Sequence, residues 1–154
     1  MTELKIGQAA PDFSLETDST GTFSLADAKG KKVVLFFYPK DDTSGCTIEN
    51  IDFTALKDEF AAKNTILVGV SADSVKKHAN FRKKHDLDVI LVSDPDKQAI
   101  EAYGVWVEKK MYGKTYFGIE RATYLIDEDG KIGHIWRKVR AKGHAQAVLD
   151  HISA

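Results

Sequence analysis

The sequence predicts an α/β fold of three layers, in which helices cover both faces of a central mixed sheet. Two observations support this prediction. Three short runs of β-branched and aromatic residues, at 33–38, 66–71 and 89–92, have the composition of strands that are buried on both faces. Segments with the apolar spacing of helices separate them, and an alternation of strands and helices builds a partly parallel sheet.

A β-hairpin opens the chain. Residues 12–15 and 22–25 flank a turn at 19–21, whose small and polar residues favour a tight turn. The first central strand, 33–38, follows, and then a helix over 47–62, in which apolar residues recur at helical spacing.

The middle of the chain repeats the order of strand and helix. Strand 66–71 leads to Ser74, a residue type that caps helices, and to a helix over 75–85 whose basic last turn suits the helix dipole. Strand 89–92 leads to a short helix over 96–103, which a glycine closes.

A second hairpin and a helix close the chain. Runs 121–126 and 131–138 flank residues 127–130, which contain the Asp-Gly pair typical of hairpin turns. Residues 143–152 have the spacing of an amphipathic C-terminal helix. Neither a repeat nor a linker interrupts the chain, so we expect one domain over residues 1–154. The order alone leaves open which three-layer α/β fold is present.

Composition and charge narrow the class of protein. The chain has 154 residues, 43% of them hydrophobic and 29% charged, with a formal net charge of −1; this balance argues for a soluble protein and against binding to nucleic acid or an anionic membrane. Residues 1–5 have no apolar stretch typical of a signal peptide. The single cysteine excludes an internal disulfide and argues against a structural zinc site. We therefore expect a cytoplasmic protein.

Cys46 lies in the stretch that carries the most chemical information. Residues 39–49 leave the first central strand and enter a helix, at the edge where open α/β sheets bind ligands. A cysteine in the first turn of a helix faces unpaired backbone N–H groups and the positive end of the dipole, which stabilise a thiolate. The thiolate is the nucleophile that peroxide chemistry requires. The competing interpretation is a small buried hydrophobic residue, but this cysteine follows Thr-Ser-Gly rather than an apolar stripe.

Four neighbouring residues complete the candidate site. Gly45 keeps bulk away from the sulfur, and Pro39 would shape the loop and shield the thiolate from water. Thr43 could offer its hydroxyl to the sulfur or to a peroxide oxygen. Alternatively, Thr43 or Ser44 caps the helix, and a cap at one of them is compatible with catalysis by the other.

At this stretch the sequence resembles a known family. Pro39-x-x-x-Thr43-x-x-Cys46 is similar to the active-site motif of peroxiredoxins, and the resemblance favours the bacterioferritin-comigratory-protein, or peroxiredoxin Q, branch. The resembling segments are 7–13, 36–43, 104–114 and 118–127. The resemblance implies a thioredoxin-like fold with an N-terminal β-hairpin and a C-terminal helix. It also implies thiol-dependent reduction of hydrogen peroxide and organic hydroperoxides. Because water and small alcohols leave easily, we expect no metal or organic cofactor.

The resemblance also implies a role for Arg121. In the family, an arginine that enters the strand before a Leu-Ile-Asp hairpin lies beside the thiolate, and residues 125–127 are Leu-Ile-Asp here. A guanidinium there would stabilise the thiolate and polarise the peroxide with a fixed pair of donors. Without the resemblance, a surface arginine paired with Glu120 or another carboxylate would be expected.

Two departures from the family bear on the candidate site. Ser44 stands where proline is common, which frees one backbone N–H and loosens the loop. The resolving cysteine of many peroxiredoxin Q proteins would stand at Ile51 or near Arg82. With one cysteine, Cys46 sulfenic acid must meet an external thiol, such as thioredoxin, glutaredoxin, glutathione or another copy of the chain. The branch is often monomeric, and Cys46 allows a disulfide-linked dimer.

Other polar and aromatic residues receive structural interpretations. The five histidines lack metal-ligand spacing and are expected at the surface or at helix ends; they are His78, His85, His134, His144 and His151. Asp41 and Asp42 are expected at a solvated loop start, and a cation site is the alternative. An aromatic loop is expected after Gly104, which either packs as core and lid or walls the active site and contacts a reductant. Its aromatic residues are Trp106, Tyr112, Tyr116 and Phe117.

Two other functions are compatible with the same residues. A peroxide sensor would pass the oxidation of Cys46 to a partner protein instead of turning over. A chaperone on the same fold would prevent aggregation without the thiol. A disulfide oxidoreductase is disfavoured because the sequence has no Cys-x-x-Cys.

Overall fold

A computed structural model describes residues 4–19 and 21–153. Its elements in chain order are β1 (Ser14–Glu16), β2 (Thr22–Ser24), a 3-10 turn (Leu25–Ala28), β3 (Lys32–Phe37), α1 (Ser44–Ala55), α2 (Lys57–Ala61), β4 (Thr65–Ser71), α3 (Val75–His85), β5 (Ile90–Ser93), α4 (Gln98–Ala102), β6 (Trp106–Met111), β7 (Lys114–Ile119), β8 (Ala122–Ile126), β9 (Ile132–Trp136) and α5 (His144–Ser153). Within these two ranges, no helix has the length and apolar character needed to cross a membrane.

The central sheet is mixed, as predicted. Its five strands lie in the order β5-β4-β3-β8-β9. β3, β4 and β5 run parallel, whereas β8 pairs antiparallel with β3 and β9 pairs antiparallel with β8. β1 and β2 form a separate antiparallel hairpin at the start of the chain, so the predicted N-terminal hairpin is confirmed.

β3 is buried on both faces and separates two hydrophobic cores. Val33, Leu35 and Phe37 contribute to the core that contains residues of α4 and of the segment around the N-terminal hairpin. Val34 and Phe36 contribute to the other core, to which α1, α2, α3 and α5 supply side chains. The three predicted layers are therefore present, and the predicted C-terminal helix is one of the covering elements.

A glycine in the sheet makes room for the packing of α1. The ring of Phe36 stacks on Phe53 of α1, with ring centroids 4.5 Å apart. On the neighbouring strand β4, a Cβ at Gly69 would lie 2.8 Å from the ring of Phe36, closer than packed atoms approach. The absence of a side chain at Gly69 thus permits the position of Phe36, and Phe36 supports the helix that carries Cys46.

The helix predicted over 47–62 is two helices in the structure. α1 begins earlier, at Ser44, and it ends before Leu56, whose φ of −98° and ψ of 5° interrupt the helix. The early start was hidden by Gly45, because glycine is a weak helix former. α3 spans the predicted residues, and Ser74 caps it by accepting a hydrogen bond from a backbone N–H at 3.2 Å.

The region after Gly104 is a hairpin rather than the predicted loop. β6 and β7 pair antiparallel along their full length. The two turn residues, Tyr112 and Gly113, have φ values of 52° and 77°, as a two-residue hairpin turn of type I′ requires. Tyrosine is unusual at the first of these positions, where asparagine, aspartate or glycine is the usual signal, and so the pattern did not reveal the turn.

Candidate active site

Cys46 occupies the first turn of α1, where the sequence predicts it. β3 ends at Phe37, and residues 38–43 connect it to the helix. The Cys46 side chain belongs to the core between the sheet and the helices, and the residue is only 1% exposed. The backbone N–H groups of a first helical turn have no intrahelical partner. They and the helix dipole therefore stabilise negative charge on the sulfur.

Arg121 lies directly beside the sulfur. Its Nη2 atom donates to Cys46 Sγ at 3.3 Å, and its Nη1 atom donates to Glu49 Oε1 at 2.6 Å. Glu120 does not pair with Arg121; instead it accepts a hydrogen bond from Arg137 at 2.8 Å. One guanidinium thus bridges the thiol and a carboxylate, and its planar set of donors fixes both partners.

Glu49 is a member of the cluster that the sequence analysis missed. It lies three residues after Cys46 on α1, a spacing that brings two side chains to the same face of a helix, and it is fully buried. Burial raises the pKa of Glu49 to about 7, although the charge and the hydrogen bond of Arg121 act in the opposite direction. Its second oxygen, Oε2, has no hydrogen-bond partner among the described residues. A carboxyl that titrates near neutrality therefore contacts the guanidinium beside the thiol.

Arg121 remains charged within this cluster. Burial disfavours the charged guanidinium, but the nearby Glu49 and Cys46 outweigh it and raise the pKa of Arg121 above its usual value.

On another side of the cluster, His144 is buried and its Nε2 atom lies 2.7 Å from the Thr123 hydroxyl. Burial and the charge of Arg121 lower the pKa of His144 to about 4. His144 is therefore neutral at physiological pH.

The residues before Cys46 shape the space around the guanidinium. A Cβ at Gly45 would lie 3.0 Å from Arg121 Nη2. The glycine therefore makes room for the guanidinium, a role more specific than the predicted one of keeping bulk away from the sulfur. Thr43 occupies the N-cap position without a side-chain capping bond, and its hydroxyl donates to the Lys40 carbonyl at 2.8 Å. Ser44 is the first residue of α1 and makes no described capping bond.

A cavity of about 610 Å³ lies beside Pro39, a volume typical of small-molecule sites. Three of the four aromatic residues noted in the sequence line it, and they are Trp106, Tyr116 and Phe117. Tyr112 lies at the hairpin turn and is 96% exposed. Lys109 also lines the cavity; burial and the charge of Arg121 lower the pKa of this lysine, while Cys46 acts in the opposite direction. The β6–β7 hairpin thus forms an aromatic wall with one cation close to the cysteine cluster.

The two positions where the family would place a resolving cysteine differ in structure. Ile51 lies on α1 and is 41% exposed. Arg82, on α3, makes a bidentate ion pair with Asp18, with distances of 2.6 and 3.0 Å, and donates to the carbonyls of Leu87 and Val89. Arg82 therefore ties the N-terminal hairpin to α3 and β5.

Two structural interpretations of polar residues were wrong. His78 is buried within α3 rather than at the surface or at a helix end, whereas His144 is buried but lies at a helix end, as expected, because it is the first residue of α5. Asp41 is also buried, whereas Asp42 is exposed and pairs with Lys84 and His85. These groups find polar partners inside the fold, and such partners cannot be read from spacing along the chain. No group of three or more candidate metal ligands occurs within residues 4–19 and 21–153.

The described geometry agrees with comparisons to known proteins. A model of the AhpC/TSA family matches residues 6–135. The chain belongs to this family. It is 46% identical over 149 residues to the putative peroxiredoxin bcp of Coxiella burnetii, covering 97% of this chain and 99% of the relative. It is 47% identical over 147 residues to peroxiredoxin Bcp of Bacillus subtilis, covering 96% and 94% of the two chains.

Solved structures lead to the same branch of peroxiredoxins. The bacterioferritin comigratory protein of Xanthomonas campestris has a TM-score of 0.89 and 42% identity, covering 97% of this chain and 96% of that one. A mutant of PrxQ from Xylella fastidiosa has a TM-score of 0.93 and 36% identity, covering 99% and 98%. The fold is thioredoxin-like, and the protein is a peroxiredoxin that reduces peroxide with the help of a thiol.

Proposed function

We propose that Cys46 is the peroxide-attacking nucleophile of this peroxiredoxin, assisted by Arg121 and Thr43. The observation that carries the proposal is the 3.3 Å hydrogen bond from Arg121 Nη2 to Cys46 Sγ. The same guanidinium is held by the buried Glu49, so its donors stay oriented without reorganisation during the reaction. Cys46 also lies in the first turn of α1, where the helix start stabilises negative charge.

The first half of the cycle follows from this geometry. The Cys46 thiolate attacks one peroxide oxygen, the O–O bond breaks, and the sulfur becomes a sulfenic acid. The second oxygen leaves as hydroxide or alkoxide and takes up a proton as water or alcohol. Arg121 and the backbone N–H groups of the first turn stabilise the charge that develops on this oxygen. Thr43 hydrogen-bonds the peroxide, while Pro39, Ser44 and Gly45 bound the substrate pocket.

The second half of the cycle requires a thiol from outside. The sequence has one cysteine, so the sulfenic acid is attacked by an external thiol, releasing water and leaving a mixed disulfide. A second thiol then restores Cys46. Thioredoxin, glutaredoxin and glutathione are reductants of this class, and we expect a cytoplasmic monomer in one domain. A disulfide between two copies through Cys46 is an alternative outcome when thiols are scarce.

Organic hydroperoxides fit the surroundings of Pro39 as substrates. The aromatic wall of the neighbouring cavity offers apolar surface to an alkyl group. The relative from Xanthomonas campestris is described as having alkyl peroxide reduction activity. We therefore place alkyl hydroperoxides beside hydrogen peroxide among the expected substrates.

The test is peroxide consumption by the wild type and by Cys46→Ser, Arg121→Ala and Arg121→Lys, with several thiol donors. We expect no thiol-dependent activity from Cys46→Ser. We expect a loss of about a hundredfold or more from Arg121→Ala. Arg121→Lys should recover only part of this loss, because it keeps the charge without the paired donors.

Two outcomes contradict the proposal. An unchanged rate in Cys46→Ser excludes the nucleophile, and an unchanged rate in Arg121→Ala excludes the arginine. A wild type that forms a mixed disulfide with one protein but does not turn over would indicate a peroxide sensor instead. Suppression of aggregation by Cys46→Ser would reveal a chaperone activity that is independent of the thiol.

A further inference from the structure

The connection between β3 and α1 is held by a buried carboxylate. We call residues 38–43 the nucleophile loop, because they lead from the central strand to the helix of Cys46. Within it, Tyr38 donates its hydroxyl proton to Asp41 Oδ1 at 2.6 Å, and Asp41 Oδ2 lies 2.6 Å from His78 Nδ1 on α3. The backbone N–H of Asp41 donates to Asp73 Oδ2 at 2.8 Å. The nucleophile loop is thus fastened to α3 from inside the protein.

The protonation of this network follows from its geometry. His78 is fully buried, and its Nε2 atom lies 2.9 Å from the Val92 carbonyl on β5. A carbonyl only accepts hydrogen bonds, so Nε2 carries a proton. Asp41 already accepts the proton of Tyr38, and one further proton must lie between its Oδ2 atom and Nδ1. Without that proton, two lone pairs would face each other at 2.6 Å in a buried site.

The surrounding charges favour retention of this proton. Burial disfavours a charged imidazole, but the hydrogen bond and charge of Asp41 outweigh burial and raise the pKa of His78. The Val92 carbonyl and Asp73, which lies between β4 and α3, act in the same direction. Asp73 is itself fixed by the Ser71 hydroxyl at 2.8 Å. Tyr38 stays neutral, because burial first and Asp41 second raise its pKa well above the usual value.

We infer that Asp41 and His78 form a positioning pair for the reaction of Cys46, in which one shared proton fixes the nucleophile loop to α3. This inference rests on the function proposed for Cys46. Neither residue touches the sulfur in the described contacts. They act through the loop, whose Lys40 carbonyl accepts the Thr43 hydroxyl and whose last residue precedes α1. An error of about 1 Å in such a support lowers an enzymatic rate about a hundredfold.

The pair predicts a dependence on pH that is separate from thiol ionisation. Because folding raises the pKa of His78, its stabilising effect is complete below the pKa of an exposed histidine, about 6.5, and is lost as the pH rises through the raised value. Above that value the network lacks one hydrogen bond. The nucleophile loop then loosens, and the rate falls at alkaline pH.

The substitution Asp41→Asn can keep the hydrogen bonds to Tyr38 and His78 while removing the titratable proton that Asp41 and His78 share. The asparagine oxygen can accept from Tyr38, and its amide N–H can donate to Nδ1 of a neutral His78, whose Nε2 proton still reaches Val92. Every hydrogen bond is kept without the shared titratable proton. Asp41→Ala removes the side-chain bonds altogether. Asp88→Asn is the matched control, because Asp88 carries the same carboxylate in an exposed ion pair with Lys57, outside the nucleophile loop.

The experiment measures the second-order rate constant of Cys46 oxidation by hydrogen peroxide from mildly acidic to alkaline pH, together with the melting temperature. Asp41→Ala should lose about tenfold to a hundredfold in rate at neutral pH. Asp41→Asn should recover most of that loss and lack the alkaline fall of the wild type. Asp88→Asn should keep the wild-type profile, including the fall.

The inference is overturned by an alkaline fall that persists in Asp41→Asn, or by a folded Asp41→Ala variant with the wild-type rate. If Asp41→Ala does not fold, the profile of Asp41→Asn decides alone. If the wild type does not react with peroxide at all, the proposed function fails. Melting temperatures still test the pair in that case, because they should fall at alkaline pH in the wild type more than in Asp41→Asn.

Discussion

Glu49 illustrates how one buried carboxyl can control the charge beside the proposed nucleophile. It contacts Arg121 through one oxygen and has no described partner for the other. When Glu49 is ionised, it offsets part of the guanidinium charge that would otherwise act on Cys46. When it is protonated, that charge is more fully available to a thiolate or to a leaving oxygen. Its raised pKa, about 7, brings this change into the physiological range.

Glu49→Gln should change how stability depends on pH. Because folding raises the carboxyl pKa from 4.5 to about 7, the folded state binds the proton more tightly, and stability decreases as the pH rises between those values. The glutamine variant lacks this decrease. The difference in melting temperature, variant minus wild type, should therefore grow as the pH rises from about 5 to about 7. A difference that stays constant over that range contradicts the prediction.

At the scale of single residues, the sequence motif located the proposed nucleophile but not the residues that support it. Cys46 and Arg121 could be predicted because a family motif and a following hairpin mark them. Glu49 was detectable from its position three residues after Cys46 on the same helix. The pairing of Asp41 with His78 could not be predicted, because it joins residues 37 positions apart on different elements.

At the scale of elements, the position of α1 depends on a contact between two strands. Gly69 on β4 leaves space for the Phe36 ring, which stacks on Phe53 of α1. Buried strands show little periodicity in their sequence. A glycine in such a strand can mark a close approach, but only the structure identifies the ring that occupies the space.

Gly69→Ala should destabilise the protein by about 1–3 kcal/mol, the usual effect of overpacking a core. The added methyl group displaces the Phe36 ring, so the rate of Cys46 oxidation should fall with the stability. Urea unfolding and single-turnover oxidation measure the two effects. Gly133→Ala on β9 is the control, because its Cβ would come no closer than 3.5 Å to a neighbour. Equal effects of the two substitutions would remove the special role of Gly69.

The hairpin of β6 and β7 shows why some elements escape prediction. Its strands mix lysines with exposed aromatic residues, since one face lines a cavity rather than a core. The pattern therefore lacks the regular alternation of a half-buried strand. By contrast, α3 has a clear cap and a basic last turn, and its bounds were predicted correctly.

At the scale of the whole molecule, oxidised Cys46 cannot form an internal disulfide, because the chain has one cysteine. Ile51 lies five residues after Cys46, about 7.5 Å along an intact helix, and a disulfide needs Cα atoms less than about 7 Å apart. An internal disulfide at this spacing therefore requires the first turns of α1 to unwind. Release of the Cys46 side chain from its buried position would accompany this change.

Ile51→Cys should supply a second thiol that reacts with oxidised Cys46 within the same molecule. We expect peroxide to produce an internal disulfide, detected by intact mass and by non-reducing electrophoresis, together with a loss of helical circular dichroism. Ile48→Cys is the matched control, because Ile48 is similarly exposed on α1, at 44% against 41%, but only two residues from Cys46. A sulfenic acid that persists in Ile51→Cys, or a disulfide formed equally well in Ile48→Cys, contradicts the expectation.

Arg82 lies near the second position at which the family can carry a resolving cysteine, and there it has a structural role. Its guanidinium holds Asp18 and two carbonyls, so the N-terminal hairpin, α3 and β5 share one anchor. A mutation that restored cysteine there would remove this anchor and leave Asp18, whose side chain is 1% exposed, without its counter-ion. A cysteine at this position would therefore remove a structural anchor, whereas a cysteine at Ile51, which is 41% exposed on α1, would not.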